Sequence, residues 1–366
     1  VKVLMAAGGT GGHLIPAAAL ARQLGSVAAC MLVTSERPAD RMLGGDFPGE
    51  WERCGVEPFF PLSRWLRPAA WGRQRRAFAE ARRLLERTAP DAVVGFGGYV
   101  SAYTVWAASR RRIPTVIHEQ NLLPGRANRW LAPWVSGVAL SFPESAGRFR
   151  GARRIQWTGN PASEGMTLPE RAAARRQLGF DAGRPLLLVM GGSQGSVPIN
   201  RLAEGMWEAA GIGGGAIQLL HLAGSAPEAQ RLQGVYRGRG IPARVEPFFK
   251  EMPLALAAAD LAVGRAGATS IAELVRAGLP AILIPYPHAG GHQRANAGWM
   301  EAVGGAVTLE QQGLTAERLG RTVGELIGSP ERLNRMRRAL RERREGAGKV
   351  PLAAWLCELV ERDALR

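Results

Sequence analysis

Val3-Leu4-Met5-Ala6-Ala7 runs into Gly8-Gly9-Thr10-Gly11-Gly12-His13, and about half a chain later Leu186-Leu187-Leu188-Val189-Met190 runs into Gly191-Gly192-Ser193-Gln194-Gly195. Each stretch is an apolar run too short for a helix, then a glycine-rich turn, then a helical pattern. A buried parallel strand that feeds a tight turn and a helix is how a doubly wound nucleotide-binding unit begins. It begins twice here, so the sequence predicts two such units. Outward from these stretches, apolar runs at Ala92–Phe96, Thr115–His118, Ala216–Leu222, Leu261–Gly264 and Ala281–Pro285 alternate with helical stretches such as Ala17–Leu24, Arg73–Arg87 and Ile271–Ala277. Such alternation implies α/β architecture, with parallel sheets covered by helices. The expected division is an N-terminal domain over 1–158, a C-terminal domain over 159–349, and a last helix over 350–366 packing back across the domains. The boundary falls at Gly159-Asn160-Pro161, between a strand at Arg154–Trp157 and a helix from Pro169.

The 366 residues suffice for two domains, and 46% hydrophobic with 21% charged residues is a globular balance. Net charge is +16, carried almost wholly by Arg, since Lys2, Lys250 and Lys349 are the lysines. Such charge favours anionic partners: nucleic acid, anionic lipid or phosphorylated substrates. It equally fits an Arg-rich proteome. No helix-turn-helix, zinc-finger or RNP pattern supports nucleic acid. Cys30, Cys54 and Cys357 are widely spaced with no CxxC, which argues against a disulfide framework and a zinc site. No apolar run approaches the roughly 18–20 residues that span a bilayer, and Val1–Ala7 is too short for a signal peptide. The expectation is a soluble or peripheral protein.

Chemistry resides in the loops after the strands. Gly8–His13 lacks the Lys-[Ser/Thr] of a P-loop, and Leu14 stands where G-x-G-x-x-G needs its third glycine. Its glycines still admit a ligand close to the backbone. His13, at a helix start above the carboxyl ends of the strands, is a candidate general base. Gly191–Gly195 reads G-x-S-x-G, which also marks the nucleophile elbow of hydrolases, with Asp260 or Glu273 and then His288 or His292 as partners. The first half repeats the turn with Thr10 and there is no HGGG loop, which favours an anion cradle of free amides and the Ser193 hydroxyl. In Gly264–Glu273 a strand ends, small residues turn, and a helix starts near Ala268; its orphan amides suit a diphosphate. Glu273, one turn in, can accept two hydrogen bonds from a ribose diol. In Pro285–Asn296, Gln293 and Asn296 share a helix face and can read sugar hydroxyls. Gly97–Ser101 and His118–Asn121 also follow strand ends. The latter is not H-E-x-x-H, because Leu122 occupies the second His position, and no Asp-x-Asp pair occurs. Phosphate charge is therefore expected to meet helix ends, hydroxyls and Arg, with no metal and no cofactor.

Gly8–His13 with Pro16, Gly97–Ser101, His118–Asn121, Gly159–Pro161, Gly191–Gly195, Arg265–Glu273 and Gln293–Asn296, in this order, resemble the MurG family, the undecaprenyl-diphospho-muramoylpentapeptide N-acetylglucosaminyltransferases of glycosyltransferase family 28. The resemblance implies a GT-B fold: two Rossmann-like domains with an interdomain cleft. It implies UDP-N-acetylglucosamine as donor and lipid I as acceptor, giving lipid II with inversion at the sugar C1, or else another GT-B reaction on a glycolipid or small molecule. By position, Ser193 and Ala268, Thr269 and Ser270 would bind the diphosphate beside Arg265. Glu273 would hold the ribose, the backbone near Phe249 the uracil, and Gln293 and Asn296 the N-acetylglucosamine. Thr10, Gly11, Gly12, His13 and Asn121 would face the reacting centre, with Tyr99, His118 and Glu119 in acceptor loops. Ala162-Ser163 stand where the family commonly has Arg soon after Gly-Asn-Pro, and His292 where Gln is common. A lipid-linked acceptor implies peripheral binding at the cytoplasmic face of the cell membrane. Arg64–Arg76 interleaves Trp65, Leu66 and Trp71 with Arg67 and its neighbours, as suits an anionic membrane surface or, alternatively, packing in the core.

Overall fold

The computed structural model describes residues 1–8, 11–35, 47–53, 68–192, 195–209, 215–344 and 349–364. The chain divides into two compact units, Val1–Gly165 together with Ala347–Arg366, and Met166–Gly346. The first holds a seven-stranded sheet made of β1 (Lys2–Ala6), β2 (Ala29–Thr34), β3 (Glu50–Arg53), β4 (Ala92–Gly95), β5 (Thr115–Glu119), β6 (Gly137–Leu140) and β7 (Ile155–Trp157). The second holds a six-stranded sheet made of β8 (Leu186–Met190), β9 (Gln218–Leu222), β10 (Ala243–Glu246), β11 (Leu261–Gly264), β12 (Ala281–Leu283) and β13 (Ala306–Thr308). Every pairing is parallel.

The orders are β3-β2-β1-β4-β5-β6-β7 and β10-β9-β8-β11-β12-β13. Both sheets are wired alike: the chain steps outward from its first strand, crosses back, and continues on the other side. Parallel strands need crossover connections, and these are right-handed. The connections leaving β1 and β4 therefore diverge, and so do those leaving β8 and β11. A crevice opens between them at the carboxyl edge of each sheet.

The helices supply these crossovers. In the first unit they are α1 (Gly11–Leu24), α2 (Pro68–Thr88), α3 (Gly98–Arg110), α4 (Arg126–Leu131) and α5 (Pro161–Glu164). The second has α6 (Arg171–Leu178), α7 (Val197–Ala209), α8 (Ala226–Gly238), α9 (Met252–Ala258), α10 (Ala268–Ala277), α11 (His292–Ala302), α12 (Ala316–Ile327) and α13 (Pro330–Arg344). α1 starts at Gly11, ahead of the helical stretch read at Ala17–Leu24, because the glycine turn passes straight into the helix.

Alternation along β1 explains its unbroken apolar sequence. Val3, Met5 and Ala7 enter one core cluster while Leu4 and Ala6 enter the cluster on the other face. α14 (Leu352–Ala364) completes the first of these with Leu352, Trp355, Leu356 and Leu359. Trp355 lies so close to Gly137 that a Cβ there would sit 2.5 Å from the indole. The segment before α14 is tied to the same unit: Val350 N–H donates to the Trp157 carbonyl at 3.0 Å, and Lys349 Nζ meets Glu164 Oε1 at 3.0 Å.

Candidate active site

In the second unit the turn after β8 folds tightly on itself. A Cβ on Gly191 would lie 2.3 Å from the Ser196 nitrogen, and one on Gly195 (φ +69°) would lie 2.6 Å from Gly224 Cα, so both positions require glycine. Ser193 falls outside the described residues. Arg265 follows β11 and is 7% exposed. Its Nη2 donates to Ser196 Oγ at 2.9 Å and to Gln311 Oε1 at 2.6 Å, and its Nη1 donates to the Ile284 carbonyl at 3.0 Å. The guanidinium also lies 5.4 Å from the centre of the Tyr286 ring. All of these acceptors are neutral. Among the described residues no carboxylate pairs with Arg265, and burial lowers its pKa. The carboxyl edge of the sheet thus carries a buried positive charge able to meet an anion.

α10 starts three residues later. Gly267 at its N-cap offers no side-chain acceptor, so the amides of Ala268, Thr269 and Ser270 have no partner within the helix. They form the positive end of its dipole. Among the described residues, Thr269 Oγ1 is buried there without a hydrogen-bond partner. One turn on, Glu273 is half-buried, and burial raises its pKa from 4.5 to about 7. Asn296 is fully buried, and its Nδ2 donates to the Ala266 carbonyl at 3.1 Å, tying α11 to the turn ahead of α10. Gln293 Oε1 accepts from the Tyr286 amide at 2.9 Å and steadies the loop after β12. Phe249 is buried, with Arg244 lying 5.7 Å from its ring centre. Ser196 and Gln311, which hold Arg265, escaped the sequence reading. Ser196 directly follows the glycine turn and could have been found there, whereas Gln311 lies 46 residues from Arg265 and carried no signal.

In the first unit the turns after β1 and β4 touch. A Cβ on Gly98 (φ +81°) would lie 2.6 Å from the Gly8 carbonyl oxygen, and one on Gly97 would lie 3.0 Å from His13 Nε2. His13 Nδ1 stands 2.8 Å from the same Gly8 oxygen. A carbonyl only accepts, so Nδ1 carries the proton and the neutral ring keeps its lone pair on Nε2, beside Gly97. Gly11 and Gly12 open α1, whereas Thr10 lies outside the described residues. α3 begins after Gly97 with no side-chain cap; Tyr99 is half-buried in its first turn, and the Ser101 hydroxyl behind it is buried and unpartnered.

His118 and Glu119 are buried beneath the loop that follows them. His118 Nε2 donates to the Gly159 carbonyl at 2.9 Å, Nδ1 accepts from Gln120 Nε2 at 3.1 Å, and burial lowers the imidazole pKa to about 4. Glu119 Oε1 accepts from the Asn121 amide at 3.0 Å, while Oε2 accepts from the Gly125 amide and Asn128 Nδ2, each at 2.9 Å. These two residues therefore shape the loop, and Asn121 is its half-buried member. Trp65, Leu66 and Arg67 lie outside the described residues, as does the Trp71 side chain.

The hydrolase alternative does not fit Asp260. It sits at the amino end of β11, the opposite edge from the glycine turn, where Leu186 N–H donates to Oδ2 at 2.8 Å. Arg171 and Arg175 also contact its carboxylate, and Arg337 Nη2 lies 3.1 Å from Oδ1.

Two identically wired parallel-sheet units, the second with a buried cation and an open helix end at its switch point, define a GT-B glycosyltransferase. The glycosyltransferase family 28 N-terminal domain matches residues 3–140 and the family 28 C-terminal domain matches residues 186–350. The chain is 37% identical over 346 residues to the UDP-N-acetylglucosamine--N-acetylmuramyl-(pentapeptide) pyrophosphoryl-undecaprenol N-acetylglucosamine transferase of Halothermothrix orenii, covering 92% of this chain and 93% of that one. It is 38% identical over 354 residues to the transferase of the same name from Streptomyces avermitilis, covering 93% and 94%. The crystal structure of Acinetobacter baumannii MurG superposes with a TM-score of 0.76 at 26% identity, covering 100% of this chain and 99% of that one. The chain belongs to glycosyltransferase family 28 and, within it, to the MurG family.

The raised pKa of Glu273 has a stability consequence. A carboxyl held near pKa 7 in the folded chain and near 4.5 when unfolded costs stability as pH rises between those values. Glu273→Gln removes that cost. Its stability gain over the unsubstituted chain is expected to be about 1–3 kcal/mol at pH 8 and to shrink toward zero near pH 5. Thermal melts at both pH values check this; a difference independent of pH contradicts it.

Proposed function

We propose that this chain transfers N-acetylglucosamine from UDP-N-acetylglucosamine to the muramyl 4-hydroxyl of lipid I, forming lipid II for peptidoglycan synthesis. The observation that carries this reading is the buried, carboxylate-free Arg265 beside the uncapped start of α10. The names of the relatives supply the substrates. In this reading the donor diphosphate lies on the Ala268, Thr269 and Ser270 amides, the Thr269 hydroxyl, Arg265 and Ser193. The ionised Glu273 accepts from the ribose diol, uracil lies against the backbone near Phe249, and the sugar lies beside Gln293 and Asn296.

Transfer is a direct displacement. The acceptor hydroxyl gives its proton to His13 Nε2 as its oxygen bonds to the sugar C1. The bond from C1 to the phosphate oxygen breaks on the opposite face, and its electron pair leaves with UDP. Fixed donors aimed at that growing charge, here the α10 amides and Arg265, are typically each worth a few kcal/mol. They supply the positive charge that other transferases take from a divalent ion, so we read the reaction as metal-independent. Asn121, beside the acceptor, would orient the attacking hydroxyl.

A lipid-linked acceptor places the work at a membrane surface. No helix among the described residues is long and apolar enough to cross a membrane. Trp130, on the short helix α4, and Trp134, three residues beyond its end, are 41% and 49% exposed, and Arg126 and Arg129 are exposed on α4. Indole rings at headgroup depth with Arg against anionic lipid suit peripheral binding to the cytoplasmic face.

Three measurements test this reading. Labelled UDP-N-acetylglucosamine, a lipid I analogue and EDTA should give labelled lipid II. His13→Ala should lower turnover about 100-fold or more, the scale of a lost general base, while UDP affinity stays within about threefold. No transfer, loss of transfer on adding EDTA, or equal losses of turnover and UDP affinity in the variant each count against it. In sedimentation with anionic vesicles, Trp130→Ala with Trp134→Ala should release most of the bound chain; unchanged binding removes α4 from the membrane surface.

A further inference from the structure

His221 on β9 is fully buried between Tyr236 of α8 and Asn200 of α7. The direction of each hydrogen bond follows by elimination. The Ala223 carbonyl only accepts, so the amide nitrogen of Asn200 faces it, at 3.0 Å. The amide oxygen of Asn200 then faces His221 Nε2 at 3.0 Å, and that nitrogen must donate. The neutral ring is left with an acceptor at Nδ1, to which the Tyr236 hydroxyl donates at 2.8 Å. Burial lowers the imidazole pKa to about 4, so the ring is uncharged and this direction holds at neutral pH. Asn200 Nδ2 also reaches Glu228 Oε1 at 3.3 Å, and Glu228 pairs with Arg231.

The relay therefore runs from Tyr236 through His221 and Asn200 to the Ala223 carbonyl. Its end point is where the glycine turn rests: a Cβ on Gly195 would lie 2.7 Å from that carbonyl oxygen and 2.6 Å from Gly224 Cα. The same residues are bonded onward. Ala223 N–H donates to the Glu246 carbonyl at 2.8 Å, and Gly224 N–H to the Pro247 carbonyl at 2.9 Å, just ahead of Phe249. The end of β9 thus sits between the turn read as holding phosphate and the segment read as holding the base. Apolar side chains of similar shape could fill this interior without the need to satisfy three polar groups, whereas a fully bonded network fixes one arrangement.

We propose that Tyr236 and His221 are positioning residues for the donor diphosphate: by locking the Asn200 amide onto the Ala223 carbonyl, they set Gly195, just ahead of α7, at a fixed spacing from the segment beside Phe249. The proposal rests on the donor reading given above. Neither side chain touches the donor; both act through the end of β9.

The test compares UDP with uridine, which shares the base and ribose but lacks the diphosphate. Tyr236→Phe keeps the ring and deletes the proton donor. His221→Gln breaks the relay at its middle and serves where the first variant folds poorly. Dissociation constants for both ligands are measured on the full chain, with donor KM and kcat alongside. In each variant UDP affinity should fall about five- to tenfold while uridine affinity stays within about twofold, the scale of a misplaced hydrogen-bonding group. Donor KM should rise by the same factor, with kcat within about threefold. If both ligands weaken equally, or neither does, the network only stabilises the core and the proposal is overturned. Should the unsubstituted chain bind uridine as tightly as UDP, the donor reading itself fails, and that outcome is visible before any variant is made.

Discussion

A parallel strand delivers its chain to the carboxyl edge of the sheet, and the next parallel strand begins at the opposite edge. Each connection must therefore leave upward and return outside the sheet, as a helix. Where successive connections turn to opposite sides, their first residues separate and a helix N-terminus is left facing solvent. Among the described residues, β1 with β4 and β8 with β11 are such places. Several groups proposed to have a chemical role lie on the turn or in the first turns of the helix that follows one of these strands: His13 after β1, and Arg265, Thr269 and Glu273 after β11.

The second switch point is held in an electrostatically costly state. Among the described residues, Arg265 is buried against neutral acceptors, Glu273 loses solvation without a cation to offset it, and Thr269 keeps a buried hydroxyl unpaired. An unliganded core gains nothing from such an arrangement. A sugar nucleotide would satisfy all three groups at once: diphosphate oxygens for the guanidinium and hydroxyl, a ribose diol for the carboxylate. The first switch point differs in kind. Its polar side chains are mostly spent on its own framework, as with Glu119 beneath the 121–125 loop, and what remains is a histidine with one basic nitrogen aimed past Gly97. In the proposed reading one unit holds the charge of the donor and the other takes the proton of the acceptor.

Much of this was legible in the sequence. Unbroken apolar runs ending in glycine turns show only where a strand buried on both faces meets a ligand edge, and they marked both sheets. Two edge strands lack that signature: Glu50–Arg53 carries three charged residues and Ala243–Glu246 two. The loops were found but not the supports beneath them. His118 and Glu119 follow the same pattern as a ligand-binding tetrad, and only in the fold are their polar atoms seen bonded to Gly159, Gly125 and Asn128. Gln311, and the relay from Tyr236 to Ala223, join residues far apart in sequence, and no local spacing announces them.

In the proposed reading a sugar nucleotide lies on the switch point of the second sheet, with its diphosphate on the first turn of α10. Backbone hydrogen exchange of the full chain, with and without UDP, reads that contact amide by amide. Slowed exchange is expected at residues 268–270 and at the turn after β8, with residues 97–101 unchanged. Slowing confined to the first unit, or no slowing at 268–270 when UDP is saturating, would contradict it.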